Sequence, residues 1–442
     1  MYDLVIEGAT LVSGSGRRAA DVGVVDGVVA YVGERPGGAA RERIDGAGAF
    51  LLPGLIDTHV HFRDPGHPQK EDWASGSAAA ASGGVTTVCD MPNTAPPTLT
   101  RVAWEEKRAR AAAVSHADFG LWVGAARDNH DSIRDLMDSG DACGIKVFMG
   151  ASTGPLLVDP DTLARLYAET TGLVGVHAED EAALMPLRER FSGASAPDHN
   201  AVRPPVAAVA AVRHLLTLVE AHGRPTHICH LSTAAELALV EPRRGAVPVT
   251  TEVCPHHLFL CAEEPQGNYT KVNPPIRAAV DRDALWEALG RGALDTVGSD
   301  HAPHTHAEKL RPYWDAPSGL PGVETIFPLL MRAVREGRMD LERFVRMTSE
   351  APARIFGFAR KGRIAVGADA DLVLYREGAL VALAASDLLT RVGWSPFVGM
   401  QVAPKPEAVW VRGRKVAARG RIVAEAHGAL VRPGQGNATA SG

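Results

Sequence analysis

No stretch of this chain is apolar for long enough to cross a membrane. No N-terminal segment reads as a signal peptide either: residues 1–12, MYDLVIEGATLV, carry acids and look like a strand. A surplus of positive charge is also missing. The 442 residues sum to a net charge of −6, which argues against a nucleic-acid footprint. Cysteine is scarce. Five residues, an odd number in a large chain, exclude a secreted disulfide framework. Cys89, Cys229 and Cys254 sit in apolar strand-like runs as buried thiols, which argues for a reducing cytoplasm. No internal repeat of fixed period is present. What remains is the composition of a globular enzyme. A hydrophobic share of 45% can build a large core, and α/β barrels commonly use about 250 residues as one domain.

The first fifty residues read as short strands, DLVIEGATLV, ADVGVVDGVVAYVG and ERIDGAGAF, separated by Gly-containing turns. After Pro53-Gly54 a different rhythm starts. Eight apolar runs of strand length follow: GLIDTHV, VTTVCDM, FGLWVG, GIKVFM, LVGVHA, THICHL, PVTTEV and LDTVGSD. Between them lie helix-like stretches such as VAWEEKRARAAAV and PPVAAVAAVRHLLTLVEAHG. The expectation is an α/β fold: a (β/α)8 TIM barrel over residues 53–358. A small all-β domain is expected from both chain ends, residues 1–52 and 359–433. The final GQGNATASG, residues 434–442, is expected to be a flexible tail.

Six residues carry the chemical signal, each at the end of an expected barrel strand. They are His59 and His61 in DTHVHFRDPG, Lys146, His177, His230 and Asp300. The strand ends of such a barrel converge on one open face, so residues far apart in the chain can meet in one small volume. A lone H-x-H is weak, although alternate strand residues do share a face. The joint pattern is stronger, because a buried imidazole or carboxylate needs a partner. Imidazole with carboxylate suits zinc or a similar divalent metal. Lys146 is the odd member. It either reaches for the rim, pairs with Asp300, or has reacted with carbon dioxide to give a carbamate whose two oxygens bridge two metals. His227, three residues before His230, falls on the opposite strand face and is taken as structural, as are His256, His257 and His301.

With these residues in place, the chain resembles the cyclic amidohydrolases, and within them the dihydroorotase family. The likeness is to the lysine-carbamate type found in multifunctional pyrimidine-synthesis proteins. The matching stretches are LLPGLIDTHVHFRDPG, GGVTTVCDMPNTAPPT, GIKVFM, VHAE, HICHLST, TTEVCPHHLFL, VNPPIR, VGSDHAPHTHAEK, GLPGVETIFPLL and GRIAVGADADLVL, which span nearly the whole chain.

The resemblance implies two divalent metal ions, with zinc the expected one. His59 and His61 would hold the more buried ion and His177 and His230 the more exposed one. Carboxylated Lys146 would bridge both, with a water or hydroxide as second bridge. Asp300 would bind the first ion and move the proton. The implied reaction is the reversible hydrolysis of dihydroorotate to N-carbamoyl-aspartate in pyrimidine biosynthesis. Arg63, Asn93 and His304 would clamp the substrate carboxylate, with Arg63 on the same strand face as the H-x-H pair. Asn273 and the backbone of Ser318 and Gly319 would contact the ring amide. Ser152 and Thr153 are either a mobile lid or a plain loop. Allantoinase and hydantoinase or dihydropyrimidinase share the expected metal centre, so only the carboxylate clamp speaks against them. A non-catalytic scaffold is the reading from another class. A homodimer or homo-oligomer, associated with aspartate transcarbamoylase, is the expected assembly, with no nucleic acid and no membrane.

Overall fold

The eight apolar runs form a closed parallel barrel in the computed structural model, which describes residues 1–152 and 156–434. Its strands are β1 (Leu55–Val60), β2 (Val85–Asp90), β3 (Asp118–Leu121, continued by Val123–Gly124), β4 (Ile145–Phe148), β5 (Val174–His177), β6 (Thr226–Ile228), β7 (Val249–Val253) and β8 (Thr296–Val297). Within the paired strand segments every neighbour is parallel. Two seams complete the ring. At Trp122 the first half of β3 pairs with β2 and the second with β4. Between β8 and β1, His61 N donates to His301 O at 2.8 Å.

Helices separate consecutive strands. The longest, Pro205–His222, begins with proline, which loses no hydrogen bond there, and stops at Gly223 with φ +60°. The helical stretch Ala196–His222 has the length and mean hydropathy, 1.3, to cross a membrane, contrary to the sequence expectation. In the fold it is half buried, with Ala211, Leu215 and Val219 turned into the core.

The bore of the barrel is filled, not open. Trp122 lies in it and its Nε1 donates to Thr58 O at 3.0 Å. A Cβ on Gly144 or Gly175 would come within 2.6 and 2.5 Å of the Trp122 ring. The glycines of GIKVFM and VGVHA therefore make room for one indole. Ile56, Cys89 and Phe356 complete this plug, above which the strand ends are free to carry chemistry.

A second sheet joins the two ends of the chain. Its order is Arg421–Ile422, Arg414–Ala418, Ala408–Val411, Leu372–Tyr375, Phe50–Pro53, Tyr2–Ser13, Gly16–Val25 and Val28–Gly33, with Ala40–Asp45 also paired to Tyr2–Ser13. Leu4, Ile6, Val22, Leu51, Leu372 and Trp410 form its own core. A buried lysine links it to the barrel: Lys361 Nζ contacts Asp118 of β3 at 2.5 Å, Asp371 at 2.7 Å and Asp369 at 3.0 Å.

The C-terminal part departs from the expected all-β run. Between Leu372–Tyr375 and Ala408–Val411 the chain leaves the sheet and returns. This excursion carries only a two-residue hairpin, Val381–Ala382 with Gln401–Val402. Its Leu383, Trp394 and Phe397 pack on Leu260, Val272, Leu320 and Leu329 of the barrel side. Their spacing follows no period of two, so no strand face forms and the apolar side chains cover the barrel instead. Beyond the sheet the chain runs along the barrel, where Val431 N donates to Phe119 O at 2.8 Å. Of the expected tail, Gly434 is bonded to Gly357 O, and residues 435–442 lie outside the described residues.

Candidate metal centre and active site

A small cavity opens among the strand ends. His59, His61, Phe148, Ser152, His177, His230, Asn273, Asp300, Ser318 and Gly319 are in its wall. The fold thus brings together residues 260 positions apart. Thr153 lies outside the described residues. Backbone conformation helps to aim the ligand candidates. His230 and Asp300 lie past the ends of β6 and β8 with φ of +38° and +46°, a region that costs a non-glycine residue energy and concentrates at functional sites.

Three acceptor atoms meet on the first side of the cavity. His59 Nδ1 donates to Glu252 Oε1 at 2.7 Å, and His61 Nδ1 to Asn93 Oδ1 at 2.5 Å. With each Nδ1 proton so placed, the Nε2 lone pairs of both rings point at Asp300 Oδ1, at 3.2 and 3.0 Å. Lone pairs do not attract one another, so a cation belongs between them. Two ligand atoms on a tetrahedral zinc lie about 3.3 Å apart, which matches these separations. Burial pushes His61 down to about 3, so its lone pair is available. Burial also opposes charge on His59, but the carboxylates of Glu252 and Asp300 hold it well above the usual range. A proton on His59 stands where a dication would serve better.

On the other side, His177 Nδ1 and His230 Nε2 lie 3.1 Å apart. Burial keeps both imidazoles below their ordinary pKa, hence neutral. His230 Nδ1 has no partner. Ligand atoms of His59, His230 and Asp300 all fall within 4.8 Å of one another, so the two sides are contiguous. Lys146 is fully buried and its ammonium has no hydrogen-bond partner, which excludes reach to the rim. No ion pair joins it to Asp300 among the described residues. Its Nζ is 4.9 Å from the centroid of Phe148, and its charge bears on His177 and His230. An unpaired buried ammonium is costly, and a carbamate facing two cations removes that cost. The donor set of imidazoles, one carboxylate and this lysine therefore fits a pair of divalent metals.

Several buried acids escaped the sequence reading. Glu252 of β7 orients His59 and also accepts from His230 N at 3.2 Å. Gly298 is glycine because a Cβ there would lie 2.2 Å from Glu252 Oε2. Asp57 accepts from Ser299 N at 3.0 Å, and burial raises it to about 6. Glu179 sits 3.0 Å from His177 Nε2 and is bound by the Arg203 guanidinium, which also donates to Ala151 O at 3.0 Å. Asp57 and Glu252 lie inside strands and Glu179 two residues past one, and an acid at such a place gives no sign in the sequence of whether it faces a partner or solvent.

Glu179 yields a stability prediction. Burial would raise its pKa, but Arg203 and His177 hold it below the usual carboxylate range. The folded value is therefore below the unfolded one. Its contribution is complete above about pH 4.3 and is lost as the pH falls further. Glu179→Gln leaves Arg203 buried and unpaired, so it is expected to cost about 3–5 kcal/mol at neutral pH. Thermal unfolding checks this, and an unchanged Tm would sink it.

The clamp residues differ in detail from the expectation. β1 ends at Val60, and Arg63 has φ +59°, so strand parity does not place it. It is nevertheless 4% exposed, and Nη2 lies 3.2 Å from His304 Nε2. The acids that could have paired with it at the rim are engaged elsewhere: Asp64 with Arg110, and Glu71 with His301. Arg63 Nε has no partner, and burial lowers the guanidinium to about 10. Asn93 spends its Oδ1 on His61 instead of facing only the cavity. Asn273 Oδ1 is buried without a partner, available to a ligand. The backbone of Ser318 and Gly319 is already in use: Gly319 N donates to Lys271 O, and Ser318 O lies 3.1 Å from His304 Nε2. A ligand there meets the remaining lone pairs. His227 is held by Thr250 at 2.8 Å, His257 lies 3.1 Å from Pro275 O, and His301 caps Gly322 N. Neither nitrogen of buried His256 has a partner.

Comparison with known proteins agrees with this arrangement. The amidohydrolase family pattern matches residues 50–416. A dihydroorotase of Halobacterium salinarum is 42% identical over 395 residues, 85% of this chain and 91% of that protein. An allantoinase of Rubrobacter xylanophilus is 38% identical over 98% of each chain. Among solved structures, the L-hydantoinase (dihydropyrimidinase) of Arthrobacter aurescens superposes with a TM-score of 0.93 at 33% identity, covering 98% of this chain and all of that one. Barrel, strand-end ligand set and these likenesses lead to one conclusion: the chain belongs to the amidohydrolase family and is a cyclic amidohydrolase.

Proposed function

We propose that this enzyme is a dihydroorotase, converting dihydroorotate and water reversibly to N-carbamoyl-aspartate and a proton. The observation that carries the choice among cyclic amides is Arg63: a buried guanidinium beside the cavity with no carboxylate partner among the described residues. Such a group is costly unless an anion reaches it, and a planar carboxylate fits its fork. Dihydroorotate brings a carboxylate, whereas allantoin, hydantoin and dihydrouracil are uncharged rings. His59, His61, His177, His230, Asp300 and a carbamate on Lys146 would hold a pair of divalent metals, which when bound would acidify a water for attack at neutral pH and polarise the ring carbonyl. Asp300 accepts the proton of the attacking water and delivers it to the departing amide nitrogen. Arg63 holds the ring so that its carbonyl faces that water, and the Asn273 amide orients the ring edge.

The full-length likeness to an allantoinase supports the second reading. A panel of dihydroorotate, allantoin, hydantoin and dihydrouracil, tested on protein loaded with zinc, separates the two. Turnover of allantoin above that of dihydroorotate would overturn the first. Arg63→Met is expected to lose on the order of 2–4 kcal/mol of transition-state binding, roughly 30- to 1,000-fold in kcat/KM for dihydroorotate. An equal loss on uncharged rings would make Arg63 structural. The five free buried thiols support a reducing cytoplasm as the setting. Assembly as a homodimer or larger homo-oligomer, in company with aspartate transcarbamoylase, belongs to the same proposal. Sedimentation of the chain alone and with that enzyme reads it.

A further inference from the structure

The motif VGSDHAPHTHAEK ends in a lysine that the reaction above does not use. Lys309 is 1% exposed, and its amine donates to backbone carbonyls, Gly319 at 2.8 Å, Pro317 at 3.0 Å and Lys271 at 3.2 Å, and lies 5.8 Å from the centroid of the Trp394 ring. Lys271, 7% exposed, does the same on the other side of the same loop, donating to Tyr313 O at 2.5 Å and Ala316 O at 2.6 Å. No carboxylate lies within ion-pair distance of either among the described residues. Two buried ammoniums thus pin the backbone of residues 313–319, two of whose members, Ser318 and Gly319, line the reaction cavity.

The charge of Lys309 bears on His304 together with two other cations. His304 is buried, with Arg63 Nη2 3.2 Å from its Nε2 and Lys70 Nζ 3.2 Å from its Nδ1. A neutral imidazole has one lone pair, so it satisfies one of these cations and not both. Ser318 O beside Nε2 favours the proton there, which leaves Arg63 facing an N–H. Gly319 is stacked against this ring: a Cβ on it would lie 3.1 Å from His304 Nε2. Of the three cations whose charge bears on His304, namely Arg63, Lys70 and Lys309, only Lys70 has an acid among the described residues, Glu308 at 2.8 Å. A neutral polar loop needs hydrogen-bond donors but no charge, and serine or asparagine would serve. Burial lowers both amines, Lys271 to about 8 and Lys309 well below its ordinary range, and the charge they keep adds positive potential in a place where little water screens it.

We infer that Lys309 and Lys271 are specificity-determining positioning residues, fixing the ring-binding backbone of Ser318 and Gly319 and biasing the cavity toward an anionic ring over a neutral one. This rests on the reading of the substrate as a carboxylate-bearing cyclic amide. The test is binding to the zinc-loaded protein of orotate, a planar ring with the carboxylate, and uracil, the same ring without it, measured by calorimetry. Wild type is expected to favour orotate by at least tenfold. Lys309→Gln can still donate to two carbonyls but carries no charge. It is expected to weaken orotate at least tenfold while uracil changes less than threefold, and Lys309→Arg is expected to keep the preference. Equal losses on both rings, or no loss on orotate, overturn the inference while leaving the substrate reading intact. A wild type without preference for orotate overturns both. Metal content and Tm are read first. Should Lys309→Gln not fold, Lys271→Gln takes its place under the same criterion.

Discussion

Asp300→Asn is expected to lower kcat by about 10³-fold or more, at the upper end of what one positioned proton-transfer group contributes. Its Oδ1 is within 3.2 Å of both His59 Nε2 and His61 Nε2. Burial would make it a weak acid, but charge on His59 holds its pKa below the carboxylate range. It is therefore ionised at neutral pH and ready to accept a proton. An asparagine keeps the shape and loses that capacity. Orotate affinity should stay within about an order of magnitude, because the Arg63 clamp is untouched. Steady-state kinetics and zinc content, measured on the same preparation, check this. A variant with near-normal kcat and a full metal load would remove Asp300 from the proton path.

Lys146→Met is expected to do two opposite things. On the proposed reading of Lys146 as a metal-bridging carbamate, the zinc-loaded enzyme should lose activity by about 10³-fold or more, with less bound metal, because methionine cannot form one. The metal-free protein should be as stable as the parent or more so. In that state the fully buried ammonium has no hydrogen-bond partner, and replacing it by an apolar chain of similar volume removes an unpaired charge. A lysine kept for packing would behave the other way, with Tm falling and activity following stability. A second check is chemical. Parent enzyme stripped with a chelator and reloaded without bicarbonate should recover slowly, and added bicarbonate should speed recovery. In Lys146→Ala, which leaves a void, short carboxylates should restore part of the rate.

The barrel was legible because its strands are buried on both faces and so read as apolar runs bounded by turns. The convergence of these residues on one cavity was legible because His59, His177 and Asp300 interrupt or end such runs, where a polar group needs a reason. Glu252 and Glu179 were not, since a buried acid and a surface acid look alike until a partner from another strand is seen. Arg63 and Asn93 were placed by parity or by likeness. The chain turns left-handed at Arg63, and Asn93 is drawn to His61 by a contact spanning 32 positions. The excursion between Tyr375 and Ala408 was hidden for a similar reason. Its apolar residues answer to barrel helices and loops, not to neighbours along the chain.

The shared sheet has a consequence for how the chain is made. Phe50–Pro53 is flanked by Tyr2–Ser13 on one side and by Leu372–Tyr375 on the other. At about 5–20 residues per second, a ribosome delivers the second neighbour roughly 18–72 seconds after the first. For that time the barrel can form while one strand beside it keeps an open row of N–H and C=O groups. Such an edge invites pairing with another chain. Shelter for the nascent chain, by a holding chaperone, should therefore raise the yield of folded enzyme. Its need should end once the strand Leu372–Tyr375 has emerged.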